Sequence, residues 1–266
     1  LLFGIFYLER AVRSDGLINI IISFWRLKAK PIFRSSAGKL FILCNPQNPT
    51  GRVFTREELT RMGNLCIKHH VTVIADEIHQ DVVYSGHKHI PFASICPEFA
   101  EITVSFMNPS KTFNVPGFRT AAFIASNPVL KSAVHEMLVN NKAIGENICG
   151  TIAFYTAYEQ CDYYADQLVA YLEKNRDLVE QTLKDVPGIE VTHAEGTYLL
   201  WLDCRGLGFE SQKALDKWLV EIAKLGFNSG MSFGPEGEGY ARMNIAAPRS
   251  TVEEALHRLT NAVKAL

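Results

Sequence analysis

Apolar runs alternate with amphipathic segments through the middle of the chain. The run at residues 40–44 is continuous, as in a strand buried on both faces of a parallel sheet. Residues 71–75 predict a second buried strand, and residues 102–106 and 120–125 predict a third and a fourth strand. Thr55-Arg56-Glu57-Glu58 has the sequence of a capping box and predicts a helix that continues to about His69. Strands that alternate with helices indicate an α/β domain with a mostly parallel sheet.

The C-terminal part of the chain has a different order of elements. Residues 127–160 predict two helices separated near Gly145, and residues 162–184 predict one long helix. Predicted strands then occupy residues 189–192, 197–202 and 240–245, with predicted helices at 211–224 and 251–265. This α+β pattern indicates a smaller C-terminal domain. We therefore divide the chain into a stretch at 1–38 that is hard to interpret, a partial large domain at 39–160 and a small domain at 161–266.

Composition and charge exclude several classes of function. The chain has 266 residues with 47% hydrophobic and 21% charged residues, which is typical of a soluble globular protein. Its net charge of -1 argues against a nucleic-acid or anionic membrane partner, since both usually require a basic excess. No apolar run approaches the ~20 residues of a membrane span. The six cysteines lack zinc-site spacing, which predicts free thiols in the cytoplasm and no metal site.

Polar motifs follow the predicted strands, at the edge where α/β sheets bind ligands. Asn45-Pro46-Gln47-Asn48-Pro49-Thr50-Gly51 follows the first strand and forms a rigid turn, although a plain strand-to-helix loop would also explain it. Asp76 ends the second strand. A buried carboxylate there needs a cationic partner, such as a protonated pyridine nitrogen. The alternative is that Asp76 caps a helix.

A lysine follows the third strand in Asn108-Pro109-Ser110-Lys111-Thr112-Phe113-Asn114. If it is partly desolvated, the amine of Lys111 could form a Schiff base. Arg119 lies eight residues further on, and its guanidinium together with the Ser110 hydroxyl could bind a phosphate. A surface lysine and a surface arginine are the alternative for these residue types. The order of the motifs along the chain argues against chance assembly.

These motifs resemble those of fold-type I pyridoxal 5′-phosphate (PLP) enzymes of the class I/II aminotransferase superfamily. More narrowly, they resemble the cystathionine β-lyase (carbon–sulfur lyase) branch of the MalY/PatB type. The narrower cues are residues 44–53, 76–79, 89–92, 109–114, 196–203, 242–246 and 248–249. The resemblance extends from about Lys39 to the end. It implies a PLP-transferase-like fold, in which a three-layer α/β large domain precedes a smaller α+β C-terminal domain.

The resemblance also implies how the cofactor would be held. Lys111 would bind PLP through its amine and later move protons at the substrate α-carbon. Asp76 would pair with the pyridine nitrogen, and Asn48 would donate a hydrogen bond to the ring hydroxyl oxygen. His79 stands where related aminotransferases usually carry a Tyr that contacts the same oxygen.

Three further roles follow from the same resemblance. Ser110 and Arg119 would hold the cofactor phosphate, and Arg242 would bind the α-carboxylate of an amino-acid substrate. Asn108 and Pro109 depart from the small residues that usually precede the Ser-Lys pair in aminotransferases, although Pro109 is at home in the lyase branch.

The implied reaction is α,β-elimination from L-cystathionine or a related cysteine S-conjugate, which yields a thiol, pyruvate and ammonia. An aminotransferase on the same scaffold is the first alternative. Family members carry additional chain at the N-terminus, and nothing in residues 1–38 resembles it. An N-terminally truncated, inactive fragment or one half of a split enzyme is therefore the second alternative. The family also implies a homodimer.

Overall fold

The computed structural model describes residues 40–141, 143 and 147–266. These residues form two compact units. The first comprises residues 40–45, 54–81 and 89–162, and the second comprises residues 46–53, 82–88 and 163–266. The predicted stretch at 1–38 and the predicted helix break at Gly145 lie outside the described residues.

A four-stranded sheet forms the centre of the first unit. Its order is β1 (Leu40–Cys44), β2 (Thr72–Asp76), β3 (Thr103–Met107) and β4 (Ala122–Ile124). The first three strands are parallel, and β4 runs antiparallel to β3. The prediction of a mostly parallel sheet is therefore confirmed. Because β1, β2 and β3 share one direction, their carboxyl ends, and the loops that follow them, lie at one edge of the sheet.

The helices of the first unit include a crossover between β1 and β2. They are α1 (Arg56–Lys68), α2 (Pro97–Glu101), α3 (Pro128–Asn140) and α4 (Ile148–Gln160). The predicted capping box of α1 is present, since Thr55 Oγ1 accepts from Glu58 N at 3.2 Å and Thr55 N donates to Glu58 Oε2 at 2.9 Å.

Alternate residues of β1 and β2 enter the core of the first unit. Phe41 and Leu43 of β1 pack in one cluster with Val73 and Ala75 of β2 and with the rings of Phe92 and Phe99. The alternate residues of β1, which are Leu40, Ile42 and Cys44, are only half-buried. The prediction that β1 is buried on both faces was therefore wrong for the described residues. A continuous apolar run shows which residues are apolar, but it does not show what covers each face of the strand.

An antiparallel sheet and three helices form the second unit. The strands lie in the order β5 (Glu190–Val191), β6 (Leu199–Asp203), β8 (Tyr240–Asn244) and β7 (Asn228–Ser229). The helices are α5 (Asp162–Leu183), α6 (Gln212–Glu221) and α7 (Arg249–Lys264). Helix α5 buries Leu172, Val179 and Leu183, whose spacing places them on one face. The predicted α+β pattern is confirmed, apart from β7, which the sequence did not suggest.

The segment at 82–88 is held in the second unit through Tyr84. This ring is fully buried, its hydroxyl donates to the carbonyl of Thr197 at 2.5 Å, and its backbone N–H donates to the carbonyl of Glu195 at 2.9 Å. The guanidinium of Arg176 lies 4.6 Å from the ring centre and donates to the carbonyl of Ala194 at 2.7 Å. These bonds hold residues 194–197, the segment that precedes β6, against Tyr84 and Arg176.

Candidate active site

Asp76 is a buried carboxyl at the end of β2. The residue is only 8% exposed, and its Oδ1 atom accepts a long hydrogen bond of 3.4 Å from the backbone N–H of Ile78. Burial raises the pKa of Asp76 to about 6, and the Ile78 hydrogen bond and the charge of Lys111 oppose that rise only in part. An additional cation at this carboxyl would stabilise its ionised form.

Lys111 lies in the loop that follows β3, the strand next to β2. The register pairs Asp76 with Phe106, so the two loops leave neighbouring strand ends. Lys111 is half-buried, and its positive charge is close enough to Asp76 to lower the pKa of that carboxyl. The structure therefore brings together the two residues that the sequence singled out at separate strand ends.

Ser110 is fixed within the same loop by a local turn. The Oδ1 atom of Asn108 accepts from the backbone N–H of Ser110 at 3.0 Å and from its hydroxyl at 2.5 Å. This is the Asx-turn geometry that Asn favours in tight loops. Asn108, which looked like a departure from the family pattern, thereby orients the Ser110 hydroxyl.

His79 and Arg119, the two other site residues predicted in the first unit, differ in exposure. His79 is 2% exposed and follows Asp76 in the loop after β2. Arg119 is exposed and adopts a left-handed conformation, with φ of 48°, at the end of the 3-10 turn Pro116–Phe118. No hydrogen bond among the described residues joins Arg119 to Ser110, so their joint role as a phosphate site stays a prediction.

A buried polar pair lies next to Asp76. Glu77 Oε1 accepts from the backbone N–H of Phe92 at 2.8 Å, and His89 Nε2 lies 3.7 Å from the same oxygen. Burial raises the pKa of Glu77 and lowers the pKa of His89 to about 4. Asn45 Nδ2 lies 3.4 Å from His89 Nδ1 and Asn45 Oδ1 accepts from Phe54 N at 3.0 Å. A neutral His89 thus ties the loops after β1 and β2 together.

Arg242 and Asn48 meet in the second unit. Arg242 lies in β8, where its Nη1 donates to Asn48 Oδ1 at 2.8 Å and its Nη2 donates to Asn228 Oδ1 at 2.8 Å. Its guanidinium also lies 4.8 Å from the ring centre of Phe233. These three partners are uncharged, and burial lowers the pKa of Arg242 from its usual value. Such a guanidinium has its charge available for an anionic ligand.

The loop that carries Asn48 is rigid for reasons that involve Gly51 and Glu195. Gly51 has φ of 73°, and a Cβ atom there would lie 2.6 Å from the Cβ of Ala194, so a side chain is excluded. Gln47 N donates to the carbonyl of Arg52 at 2.7 Å, which closes the turn. Glu195 Oε2 accepts from Val53 N at 2.7 Å and from Arg52 Nε at 3.1 Å.

Several residues that support the site were not predicted from the sequence. Asn228 and Phe233 contact Arg242, and Asp81 and Tyr158 contact the Lys111 loop. Asp81 could have been noticed because it follows Asp76 by five residues. The other three occupy positions that their local sequence does not distinguish from ordinary surface or core positions.

Residues 40–141, 143 and 147–266 contain no group of three or more His, Cys, Asp or Glu side chains placed to hold a metal ion. None of the helices in the part of the chain that the structure describes combines the length and the apolar character of a membrane span.

The fold and these side chains define a class of α/β protein. Neighbouring strand ends carry a buried aspartate and a lysine, and an α+β unit carries a half-buried arginine. Residues 27–259 match the model of the family described as aminotransferase class I and II, and the chain belongs to this family.

Individual relatives are mostly lyases by name. The chain is 37% identical to cystathionine beta-lyase PatB of Bacillus subtilis over 225 residues, which cover 84% of the chain and 58% of that protein. It is 34% identical to protein MalY of Escherichia coli over 242 residues, which cover 90% of the chain and 61% of that protein. The chain thus spans about three-fifths of the length of these relatives.

A solved structure shows the same fold. Cystalysin from Treponema denticola, whose crystal structure contains a pyridoxal 5′-phosphate cofactor, superposes with a TM-score of 0.84 at 32% sequence identity. The match covers 86% of the chain and 58% of cystalysin. The predicted PLP-transferase-like fold class is confirmed by this match together with the mostly parallel sheet of the first unit.

Proposed function

We propose that the protein is a PLP-dependent carbon–sulfur β-lyase of the cystathionine β-lyase type. The observation that carries the proposal is that Lys111 follows the strand next to the one that ends in the buried carboxyl of Asp76, where burial raises the pKa of Asp76 to about 6. Similarity to PatB and to cystalysin, together with membership of the family, supports the choice of this activity.

The residues present fit PLP by their chemistry. The carboxyl of Asp76 is desolvated, and among the described residues it accepts a long backbone hydrogen bond, so a protonated pyridine nitrogen would be a matching cationic partner. The half-buried amine of Lys111 can bind the cofactor covalently. The hydroxyl of Ser110 and the guanidinium of Arg119 are suitable donors for a phosphate. When bound, PLP would supply an electron sink for cleavage of bonds at the substrate α- and β-carbons.

Each proposed role uses an atom of the chain that the structure locates. Lys111 Nζ would remove the proton from the substrate α-carbon, as a general base. The Asp76 carboxylate would keep a proton on the pyridine nitrogen. The amide NH2 group of Asn48 would donate to the ring oxygen, since its Oδ1 accepts from Arg242. His79, which is almost fully buried, would contact the same oxygen.

Arg242 is proposed to bind the α-carboxylate of the substrate, and Arg242→Lys tests this role. Lysine keeps the charge but loses the planar fork of donors. We expect KM for L-cystathionine to rise by about 10- to 100-fold with little change in kcat, the loss of about 1.5–3 kcal/mol from a charge-assisted bond. Steady-state kinetics at saturating PLP measures both constants.

The matched control is Arg258→Lys. Arg258 lies on α7, is exposed and pairs with Glu254 at 2.7 Å, so its replacement should leave both constants unchanged. An Arg242→Lys enzyme with an unaltered KM would show that another group binds the carboxylate.

The activity is tested by product analysis in the absence of any 2-oxo acid. The chain is incubated with PLP and L-cystathionine, pyruvate is measured with lactate dehydrogenase, and thiol is measured with a thiol reagent. We expect pyruvate and thiol in equal amounts. Turnover that requires a 2-oxo acid acceptor would identify an aminotransferase instead. Absence of both products from PLP-loaded chain would contradict the proposed activity for this chain.

We further propose that the protein is a cytoplasmic homodimer that acts on a small amino acid. All six cysteines are free thiols, as is usual for proteins of a reducing compartment. Helix α4 exposes Ile148, Ile152 and Tyr155, each more than half exposed and spaced along one helix face. A contiguous apolar face of this kind favours an interface. Light scattering coupled to size-exclusion chromatography measures the assembly.

A further inference from the structure

The Lys111 loop has a bond to the segment after β2, in addition to the ladder between β2 and β3. The β2–β3 register ends at the pair Asp76 and Phe106. Five residues beyond Asp76, the Oδ2 atom of Asp81 accepts a hydrogen bond from the hydroxyl of Thr112 at 2.9 Å. Thr112 directly follows Lys111 and is fully buried. The bond therefore joins the segment that begins with Asp76 to the residue next to Lys111.

Tyr158 joins both strand-end segments from helix α4. Its hydroxyl lies 3.1 Å from the carbonyl of Asn108 and 3.3 Å from Asp81 Oδ2. Its ring packs edge-on against Phe113 with 5.5 Å between the ring centres. One side chain thus contacts the Lys111 loop on both sides of the lysine and contacts Asp81 as well.

The surroundings of Asp81 and Tyr158 favour hydrogen bonds between these side chains. Burial raises the pKa of Asp81, and the hydrogen bonds from Thr112 and Tyr158 oppose that rise. Burial and the neighbouring Asp81 raise the pKa of Tyr158, so its hydroxyl keeps its proton over the working range of pH. The half-buried Asp81 carboxyl accepts from the Thr112 hydroxyl and shares the single proton of the Tyr158 hydroxyl with the Asn108 carbonyl. Breaking these bonds would be costly, so they hold the three side chains in one geometry.

We propose that Asp81, Thr112 and Tyr158 are positioning residues that fix the amine of Lys111 relative to the carboxyl of Asp76. The inference rests on the proposed function for the roles of those two groups. None of the three positioning residues needs to touch cofactor or substrate. Their effect is geometric, and displacement of a reacting group by about 1 Å can lower a rate by as much as 100-fold.

The test compares Thr112→Val with Thr112→Ser in the 266-residue chain. Valine keeps the shape of threonine and removes the hydroxyl, whereas serine keeps the hydroxyl. Thr103→Val is the matched control, because Thr103 is equally buried and donates one hydrogen bond to the carbonyl of Phe99 at 2.6 Å, at the far end of β3. Circular dichroism establishes that each variant is folded.

The first readout requires no cofactor. Cofactor-free protein is labelled with trace acetic anhydride, and the rate at the Lys111 amine is measured by peptide mass spectrometry. We expect labelling in Thr112→Val to be about fivefold faster than in wild type, the change in loop opening that corresponds to about 1 kcal/mol for one hydrogen bond. Thr112→Ser and Thr103→Val should match wild type. A wild-type rate in Thr112→Val would overturn the proposal.

The second readout is the affinity for PLP, titrated by its visible absorption band. We expect about tenfold weaker binding in Thr112→Val, with recovery in Thr112→Ser. Failure of the wild-type chain to bind PLP would contradict the proposed function and leave the labelling result as the test of the positioning residues. If Thr112→Val is unfolded, Tyr158→Phe, which keeps the ring, is labelled in its place, and a wild-type rate there would equally overturn the inference.

Discussion

Replacement of Lys111 by alanine is expected to abolish the visible absorption band of PLP-loaded protein and to lower pyruvate release from L-cystathionine by about 10²- to 10⁴-fold. The range is the usual contribution of one general acid–base group, and loss of the covalent bond to the cofactor adds to it. Absorption spectroscopy of the wild type and Lys111→Ala after incubation with PLP measures the first effect, and the coupled pyruvate assay measures the second.

The matched control is Lys131→Ala, which removes an exposed lysine of α3. Reduction of the PLP-loaded wild type with borohydride, followed by peptide mass spectrometry, should place the cofactor on the peptide that contains Lys111. A band that survives in Lys111→Ala, or a label on another lysine, would show that the cofactor is held elsewhere. A wild-type chain without a band would show that these residues alone do not retain PLP.

Much of the first unit could be predicted because the sequence features that specify its elements are local. The capping box of Thr55 and Glu58 specifies the start of α1, and the apolar runs specify β1, β2 and β3 to within about one residue. The direction of β4 could not be predicted, because an apolar run is the same whether its strand pairs in parallel or antiparallel fashion. The segments at 46–53 and 82–88 belong to the second unit through contacts that their own sequences do not encode.

The same difference between local sequence features and long-range contacts applies to the site. Asp76 and Lys111 could be placed at strand ends from sequence because each follows an apolar run, and the parallel register puts those two strand ends next to each other. The bond from Arg242 to Asn48 spans 194 residues of sequence and depends on the assembly of the second unit. Tyr158 was missed because a tyrosine in a largely apolar helix has no local feature that separates a core role from a hydrogen-bonding one.

Replacement of Asp76 by asparagine is expected to lower the rate of pyruvate release while raising the stability of the cofactor-free chain. A neutral amide cannot keep the pyridine nitrogen protonated, and we expect kcat to fall by about 10²-fold or more, since one lost electrostatic contact of this kind costs about 3 kcal/mol. The visible band should persist, because Lys111 is intact. Spectra and steady-state kinetics of the same preparation separate the two effects.

The sign of the stability effect follows from the raised pKa. The carboxyl has a pKa of about 6 in the folded chain and about 3.8 when exposed, so the folded state binds more protons between these values. Stability therefore falls as pH rises from about 4 to about 6, and above pH 6 the full cost of up to about 3 kcal/mol remains. Asp76→Asn avoids this cost, so its advantage over wild type should be largest near pH 8 and should vanish near pH 4.

Urea unfolding of cofactor-free wild type and Asp76→Asn at both pH values measures the difference. Asp166→Asn, an exposed replacement on α5, is the control and should show no such dependence. A wild-type chain as stable as Asp76→Asn near pH 8 would mean that a group of the chain already compensates the carboxylate. If the advantage is present and then shrinks when PLP is added, the carboxylate is compensated by the bound cofactor, because a ligand that binds the folded state stabilises it in proportion to its affinity. A residue that costs stability in the cofactor-free chain and recovers that cost on binding is one retained for the ligand.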